Sequence, residues 1–166
     1  MNNPLENNNV KRVEQFLKNF NQSLKITLLN QTAKTAVYAA KALNCEVGAI
    51  VKSLVLKADE AFLLCLVAGD KKCSFKKLKI ILNKKNLSMA SVEEVKLQTG
   101  FSIGGVSPVA HITKLPIFID KSLNRFNNVF GAAGHPNCIF KINYNELIKI
   151  TKGSIVEISE WDNLNL

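Results

Sequence analysis

Three short stretches of the sequence carry residue types that are suited to chemistry. The first is Gly104-Gly105-Val106-Ser107-Pro108, whose paired glycines let the backbone turn sharply and expose its amides, and whose proline stiffens the exit. The second is Lys52, a charge inside an otherwise apolar run. The third is Gly134-His135-Pro136-Asn137, a second glycine-rich run. We expect the three stretches to converge in one site.

These residue types favour one kind of chemistry. Backbone amides of a glycine loop can stabilise an oxyanion, and Lys52 can anchor a phosphate or that same oxyanion. With one histidine added, the set suits a ligand that has a carbonyl group and is attached to an anion. Glycine and proline are also ordinary turn residues, and Lys52 could instead lie on the solvent face of a half-buried strand. Both interpretations stay open at this level.

Several common catalytic motifs are absent from the sequence, namely the phosphate-binding loop, the nucleophile elbow and the metal-binding helix with two histidines. Only His111 and His135 could ligate a metal through imidazole, and no pair of carboxylates is placed for acid and base catalysis. The cysteines are too scattered for a zinc or redox motif. They are Cys45, Cys65, Cys73 and Cys138. We therefore expect reduced thiols, no metal site and no cofactor.

The charge balance is compatible with a polyanionic partner and equally with a base composition that favours lysine codons. The 166 residues include 22 Lys+Arg and 13 Asp+Glu, giving a net charge of +9. Seven of the fifteen residues from 71 to 85 are lysines, a density that suits phosphate contacts or simple solvation. The chain has no apolar run near the roughly 20 residues that span a bilayer, and its N-terminus lacks signal-peptide features. We expect a cytoplasmic protein without membrane contact.

Apolar periodicity and turn residues predict the elements of the first half of the chain. They are a loose polar segment over 1–9, a helix from Val10 to about Asn21, a short strand at 24–29, a helix that begins at its cap Thr32 and runs to about Asn44, and strands at 48–56 and 61–68. The last two are apolar almost throughout, which predicts a hairpin at the centre of a sheet.

The second half is predicted in the same way. It has a helix at 75–82 capped by Ser74, a helix opened by a capping box at Ser91–Glu94 and ended by Gly100, extended segments at 109–112 and 116–120, a turn or short helix at 121–126, a strand at 138–142, a helix around 146–149 capped by Asn143 or Asn145, and a last strand at 154–158. Strands and helices do not alternate strictly. The pattern predicts one α+β domain with a mixed, strongly curved, barrel-like sheet and surrounding helices.

The order and spacing of several runs resemble the YbaK/prolyl-tRNA editing-domain family. The runs are Ile50-Val51-Lys52-Ser53-Leu54-Val55, Leu66-Val67-Ala68-Gly69-Asp70, Lys76-Lys77-Leu78, Met89-Ala90, Glu94-Val95, Thr99-Gly100-Phe101, Ile103 to Pro108, Ile119-Asp120 and Gly134-His135-Pro136. The resemblance covers roughly residues 31–158 and leaves residues 1–23 as an N-terminal extension with a helix. The family's invariant lysine falls on Lys52, its Gly-x-x-x-Pro loop on 104–108 and its Gly-His-Pro element on 134–136.

The resemblance implies a free-standing, metal-independent hydrolase that removes a small non-cognate amino acid, such as Ala, Cys or Ser, from mischarged tRNA. Proline tRNA is the favoured substrate and prolyl-tRNA synthetase a candidate partner. The expected catalytic residues are Lys52, Gly104, Gly105 and His135. The expected substrate-binding residues are Val106, Ser107, Pro108, Gly134, Pro136 and Asn137. The expected tRNA-binding residues are Lys71, Lys72, Lys76, Lys77 and Lys79.

Other functions remain open from the sequence. A non-catalytic tRNA-binding module that assists a synthetase would keep the same surface without turnover, and a hydrolase of free aminoacyl esters would work without the tRNA body. His135 could hold a rigid turn instead of contacting substrate.

Overall fold

The computed structural model describes residues 2–30 and 33–163, and within these ranges the chain forms five α-helices and ten strands. The helices are α1 Asn8–Phe20, α2 Ala36–Leu43, α3 Phe75–Leu82, α4 Val92–Thr99 and α5 Tyr144–Thr151. The strands are β1 Ile26–Leu28, β2 Val51–Ala58, β3 Ala61–Ala68, β4 Lys71–Cys73, β5 Leu87–Met89, β6 Ile117–Asp120, β7 Asn128–Ala132, β8 Cys138–Asn143, β9 Ser154–Val156 and β10 Ser159–Trp161. Short 3-10 helices span Pro4–Glu6, Val47–Ala49 and Lys121–Arg125.

Side-chain caps set the starts of the helices. Ser74 accepts a hydrogen bond from the Lys77 amide, and Ser91 accepts one from the Glu94 amide, so both predicted caps are confirmed. Asn143 caps α5. Thr35 caps α2, while the predicted cap Thr32 lies outside the described residues.

The central sheet has the strand order β5-β2-β3-β6-β9. The prediction of a β2–β3 hairpin at the centre of the sheet is confirmed, and the two strands are antiparallel. Strands β3, β6 and β9 run parallel to one another, so the sheet is mixed. A second sheet has the order β1-β8-β7, and β10 pairs with β4 in a third. The predicted barrel-like closure is not confirmed, because the described strands form three sheets instead of one closed ring of hydrogen-bonded neighbours. A bridge between Ile50 and Phe130 links the first two.

Strand β3 is buried on both faces, which explains its continuous apolar sequence. On one face Leu64 and Leu66 join the core that buries α1, and on the other Cys65 and Val67 pack with Leu78 of α3. The hairpin is therefore the layer shared by two hydrophobic cores.

Some local predictions were wrong. Residues 4–6 form a 3-10 helix and Asn7 caps α1, so the predicted loose segment at 1–9 is structured from Pro4 onward. Residues 109–112 are not extended, since Ala110 has a left-handed φ of 63°. The predicted last strand ends at Val156, and β10 follows it. Strands β4, β5 and β10 were missed because three residues are too few to show an alternating pattern.

Asp120 ties the end of β6 to the approach of β10. Its carboxylate is only 1% exposed and accepts hydrogen bonds from the amides of Ser122 and Ile158 and from the hydroxyl of Ser159. Burial alone would raise the pKa of Asp120, but the hydrogen bonds from Ser122, Ser159 and Ile158 outweigh it and hold the pKa below its ordinary value.

We expect Asp120→Ala to lower the free energy of unfolding by roughly 3 kcal/mol, because buried donors lose their acceptor. Since the folded pKa of Asp120 is depressed, the stabilisation is present above the unfolded value of about 3.9 and is lost as the pH falls through the folded value. Urea unfolding at pH 7 and pH 3 should therefore show a smaller difference from wild type at pH 3. Glu157→Gln, which removes an exposed carboxylate near the same strand, is the control and should change stability by less than about 0.5 kcal/mol. Equal effects of the two variants would contradict this role.

Candidate functional site

The two glycine-rich runs pack directly against each other. The Gly134 amide donates to the carbonyl of Gly105 at 3.0 Å, and a Cβ atom on Gly105 would lie 2.9 Å from the Gly134 carbonyl carbon. Gly104 has a φ of 93°, which only glycine adopts without strain. A side chain at Gly105 would therefore force the two loops apart, whereas one at Gly104 would meet Pro136 at an ordinary 3.5 Å and would be strained by its backbone conformation.

A cavity of about 270 Å³ opens between these loops, β2 and α2. Its wall includes Lys52, Gly104, Val106 and Pro136, so all three stretches singled out in the sequence reach it. Most of the remaining wall is apolar. It includes Ala36, Ala39, Ile50, Val55, Met89, Val95, Ile103, Cys138 and Ile139. Such a wall favours a small apolar group over a charged one.

Lys52 lines the cavity, and its ammonium is bound by two other groups of the protein. It donates to the carbonyl of Lys71 and lies 3.3 Å from Oδ2 of Asp162, and its side chain is 24% exposed. The lysine therefore contacts an anion, in agreement with the interpretation that Lys52 binds a negative group and does not simply face solvent. That anion is an internal carboxylate, which a substrate phosphate or oxyanion would have to replace.

The amides of the Gly104 loop are not equally open. Gly105 donates its amide to the carbonyl of Ser102 at 3.0 Å, and Pro108 has no amide hydrogen. Within the described part of the chain, the amides of Gly104 and Val106 have no hydrogen-bond acceptor, and both residues line the cavity. The geometry therefore favours Gly104 and Val106 over Gly105 as oxyanion donors.

Ser107 is a fully buried residue of this loop. Its hydroxyl accepts from the Val109 amide, and its carbonyl accepts a hydrogen bond from Nε2 of His111 at 2.7 Å. Burial lowers the pKa of His111, which favours the neutral imidazole with its proton on Nε2. Pro108 packs against Gly131. These residues brace the loop.

His135 faces away from the cavity wall. Its Nδ1 accepts the Asn137 amide at 3.1 Å and its carbonyl accepts the Cys138 amide, as in a rigid turn. The residue lines a separate depression next to Asn3 and Glu6 of the N-terminal segment. A chemical role for His135 stays a prediction, whereas its neighbour Pro136 contributes to the cavity.

The lysine-rich segment is partly held by β10. The ammonium of Lys71 lies 3.4 Å from the centre of the Trp161 ring, Lys72 lies 3.5 Å from Glu160, and Lys77 donates to the carbonyl of Ser159 at 2.9 Å. Lys76 is exposed, and Lys79 borders a depression that includes Asp59.

Two residues near Lys52 were missed by sequence reasoning. Asp162 is 110 positions away in the chain, so no local pattern pairs it with Lys52. Ser53 lines the cavity, and within the described ranges its buried hydroxyl has no hydrogen-bond partner. The signal for Ser53 was its place beside Lys52 in an apolar strand.

Residues 2–30 and 33–163 contain neither a candidate metal site nor a candidate membrane-spanning helix. These ranges contain no group of three His, Cys, Asp or Glu side chains that could hold a metal ion. Their longest helices also fall short of the length and apolarity needed to cross a membrane.

Residues 30–150 match the family model described as "Aminoacyl-tRNA editing domain". The chain belongs to this family. The resemblance to the YbaK-type editing domain is therefore confirmed. Protein YwhH of Bacillus subtilis, which is also of this length, is 31% identical over 156 residues, covering 92% of this chain and 99% of YwhH.

Two further similarities are to a proline–tRNA ligase and to a protein described as acting with prolyl tRNA synthetase. Proline–tRNA ligase of Thermosipho africanus is 37% identical over 95 residues, which cover 57% of this chain and 17% of the ligase. A crystal structure of a candidate trans-editing enzyme for prolyl tRNA synthetase superposes with a TM-score of 0.87 at 35% identity, covering 93% of this chain and 98% of that one.

We expect Asp162→Asn to strengthen the binding of an anion at Lys52, because the variant removes a negative charge that competes for the ammonium. Adenosine 5′-monophosphate, which carries the phosphate of a terminal adenosine, is a suitable probe for isothermal titration. The dissociation constant should fall severalfold relative to wild type. Glu160→Gln removes an exposed carboxylate from the neighbouring strand and is the control. Unchanged affinity in Asp162→Asn would mean that this contact does not limit access to Lys52.

Proposed function

We propose that the protein is a free-standing deacylase that hydrolyses the ester between a small non-cognate amino acid and the 3′ end of tRNA. The observation that carries this proposal is the cavity, which Lys52, Gly104 and Val106 line together in a chain of the editing-domain family. Similarity to proline–tRNA ligase and to a candidate trans-editing enzyme for prolyl tRNA synthetase supports proline tRNA as the substrate. Prolyl-tRNA synthetase is then a candidate partner, in the cytoplasm.

In the proposed mechanism, a water molecule attacks the ester carbonyl directly. The negative charge that develops on the carbonyl oxygen is stabilised by the amides of Gly104 and Val106. The carbon–oxygen bond to the ribose then breaks, and the proton that the attacking water loses is balanced by the proton that the ribose oxygen takes up, so that the products are the free amino acid and uncharged tRNA. An aminoacyl ester is already an activated acyl group, so positioning and polarisation carry the reaction without a paired acid and base.

Lys52 holds the phosphate of the terminal adenosine or the carbonyl oxygen in this mechanism. The small alanines of α2, Ala36 and Ala39, leave room in the cavity for a side chain of the size of alanine, cysteine or serine. Cys138 also lines the cavity, but burial raises the pKa of its thiol and keeps it protonated. We therefore assign no nucleophilic role to Cys138.

Deacylation of alanyl-, seryl-, cysteinyl- and prolyl-tRNA tests the proposal. We expect hydrolysis of at least one mischarged tRNA above the spontaneous rate. Lys52→Ala should slow single-turnover deacylation about 100-fold, which corresponds to about 2.7 kcal/mol of transition-state stabilisation. Lys57→Ala removes a lysine from the same strand outside the cavity and should retain activity.

Three results would contradict the proposal. Tight tRNA binding without turnover would assign the protein to the non-catalytic binding modules. Equal hydrolysis of free aminoacyl esters would make it a small-molecule hydrolase. A trapped aminoacyl-enzyme would replace direct attack by water with a covalent mechanism.

The lysine-rich segment supplies phosphate contacts for the tRNA in this proposal. Replacing Lys76, Lys77 and Lys79 with glutamine should weaken tRNA binding and reduce the magnitude of the negative slope of log K against log salt by roughly 0.7 to 0.9 for each lysine–phosphate pair that is removed. The control removes the same charge elsewhere, by glutamine at Lys18, Lys25 and Lys149. If both triple variants change affinity and salt dependence equally, the segment contributes only its share of the net charge.

A further inference from the structure

Trp161 is an exposed aromatic residue at the end of β10 and is the one tryptophan of the sequence. It keeps 63% of its surface accessible, although it is paired with Lys71 across the β10–β4 ladder. A large ring held on a strand but left in solvent gains little from burial. Its exposure therefore calls for a reason other than packing.

Two cations lie beside the ring. The ammonium of Lys71 is 3.4 Å and the guanidinium carbon of Arg125 is 5.3 Å from the ring centre. Arg125 is held in place by two hydrogen bonds to Asp70, at 2.9 and 2.6 Å. The position of one of the two cations near the ring is thus set by a bidentate ion pair within the protein.

The ring also borders the groups that hold Lys52. The carbonyl of Lys71 accepts a hydrogen bond from Lys52, and Asp162, the residue after Trp161, contacts the same ammonium. Lys71 therefore contacts Trp161 with its side chain and Lys52 with its backbone. Trp161 therefore lies next to the two groups that bind the Lys52 ammonium.

We propose that Trp161 stacks on a base of the single-stranded 3′ end of tRNA, with Lys71 and Arg125 against the adjoining phosphates. This rests on the proposed function and extends it to a residue outside the cavity. Exposed aromatic rings beside cations are the usual platform for single-stranded nucleic acid, because every base has a face that can stack. The ring is surrounded by Lys71, Lys72 and Arg125 together with Asp70, Glu160 and Asp162, so its charged surroundings favour a polar ligand over the apolar surface of a protein partner.

The single tryptophan makes the proposal directly measurable. Titrating the protein with the oligoribonucleotide 5′-ACCA-3′ should quench the intrinsic fluorescence, whereas inorganic tripolyphosphate at the same ionic strength should not. By anisotropy of a labelled 5′-ACCA-3′, Trp161→Ala should bind about tenfold more weakly, which corresponds to about 1.4 kcal/mol. Trp161→Phe should recover most of the affinity. Phe20→Ala removes another exposed aromatic residue and should bind as wild type does.

The outcomes separate this inference from the proposed function. Binding of 5′-ACCA-3′ without quenching, or with equal affinity in Trp161→Ala, overturns the stacking role even if the protein deacylates tRNA. Quenching and weakened binding in Trp161→Ala support it even if no mischarged tRNA is hydrolysed. Equal quenching by tripolyphosphate would reduce the site to ionic contacts and also overturn it.

Discussion

The structure depends on how a charged side chain is accommodated in the central hairpin. Lys52 lies on β2, whose partner β3 is buried on both faces, and an unpaired ammonium there would cost several kcal/mol. The protein avoids this cost by bringing the Lys71 carbonyl and the Asp162 carboxylate to it. The pairing of β10 with β4 puts both acceptors in reach. The contacts that Lys52 needs for its ammonium therefore link the central sheet to β10 and the residue that follows it.

A second constraint is the close approach of two backbones. Gly105 and Gly134 are in contact without side chains between them, and the residues on either side of Gly105, Gly104 and Val106, line the cavity. The hydrogen bond from His111 to the Ser107 carbonyl braces the loop from behind. Amides held by such a frame need little reorganisation when charge develops beside them, which is the condition for effective oxyanion stabilisation.

Strand β10 and the residue after it contact both Lys52 at the cavity and several lysines of residues 71–85. Asp162 contacts the lysine of the site, Trp161 carries two neighbouring cations, and the carbonyl of Ser159 accepts from Lys77. Asp120 secures the start of this strand through Ile158 and Ser159. The lysines of residues 71–85 are therefore not a uniformly solvated face, since several have partners on one strand.

Local sequence was enough to predict most of the elements and the family. Capping residues such as Ser74 and Ser91, the apolar run of β3 and the glycine at position 100 act through neighbours within a few positions, and all were predicted correctly. Gly104, Lys52 and Pro136 were singled out because glycine, an isolated charge and proline are informative residue types in any context; all three line the cavity, and their roles stay predictions. Short strands such as β4 and β10 were missed, since their pairing partners lie far along the chain.

The hydrogen bonds of the site, in contrast, became known only from the folded chain. Folding engages the amide of Gly105 within its own turn, leaves those of Gly104 and Val106 at the cavity, and turns His135 toward the N-terminal segment. It also pairs Lys52 with Asp162 and leaves Trp161 exposed between cations. These arrangements escape sequence reasoning because hydrogen bonding and burial depend on residues brought together across as many as 110 positions, a relation that no local pattern contains.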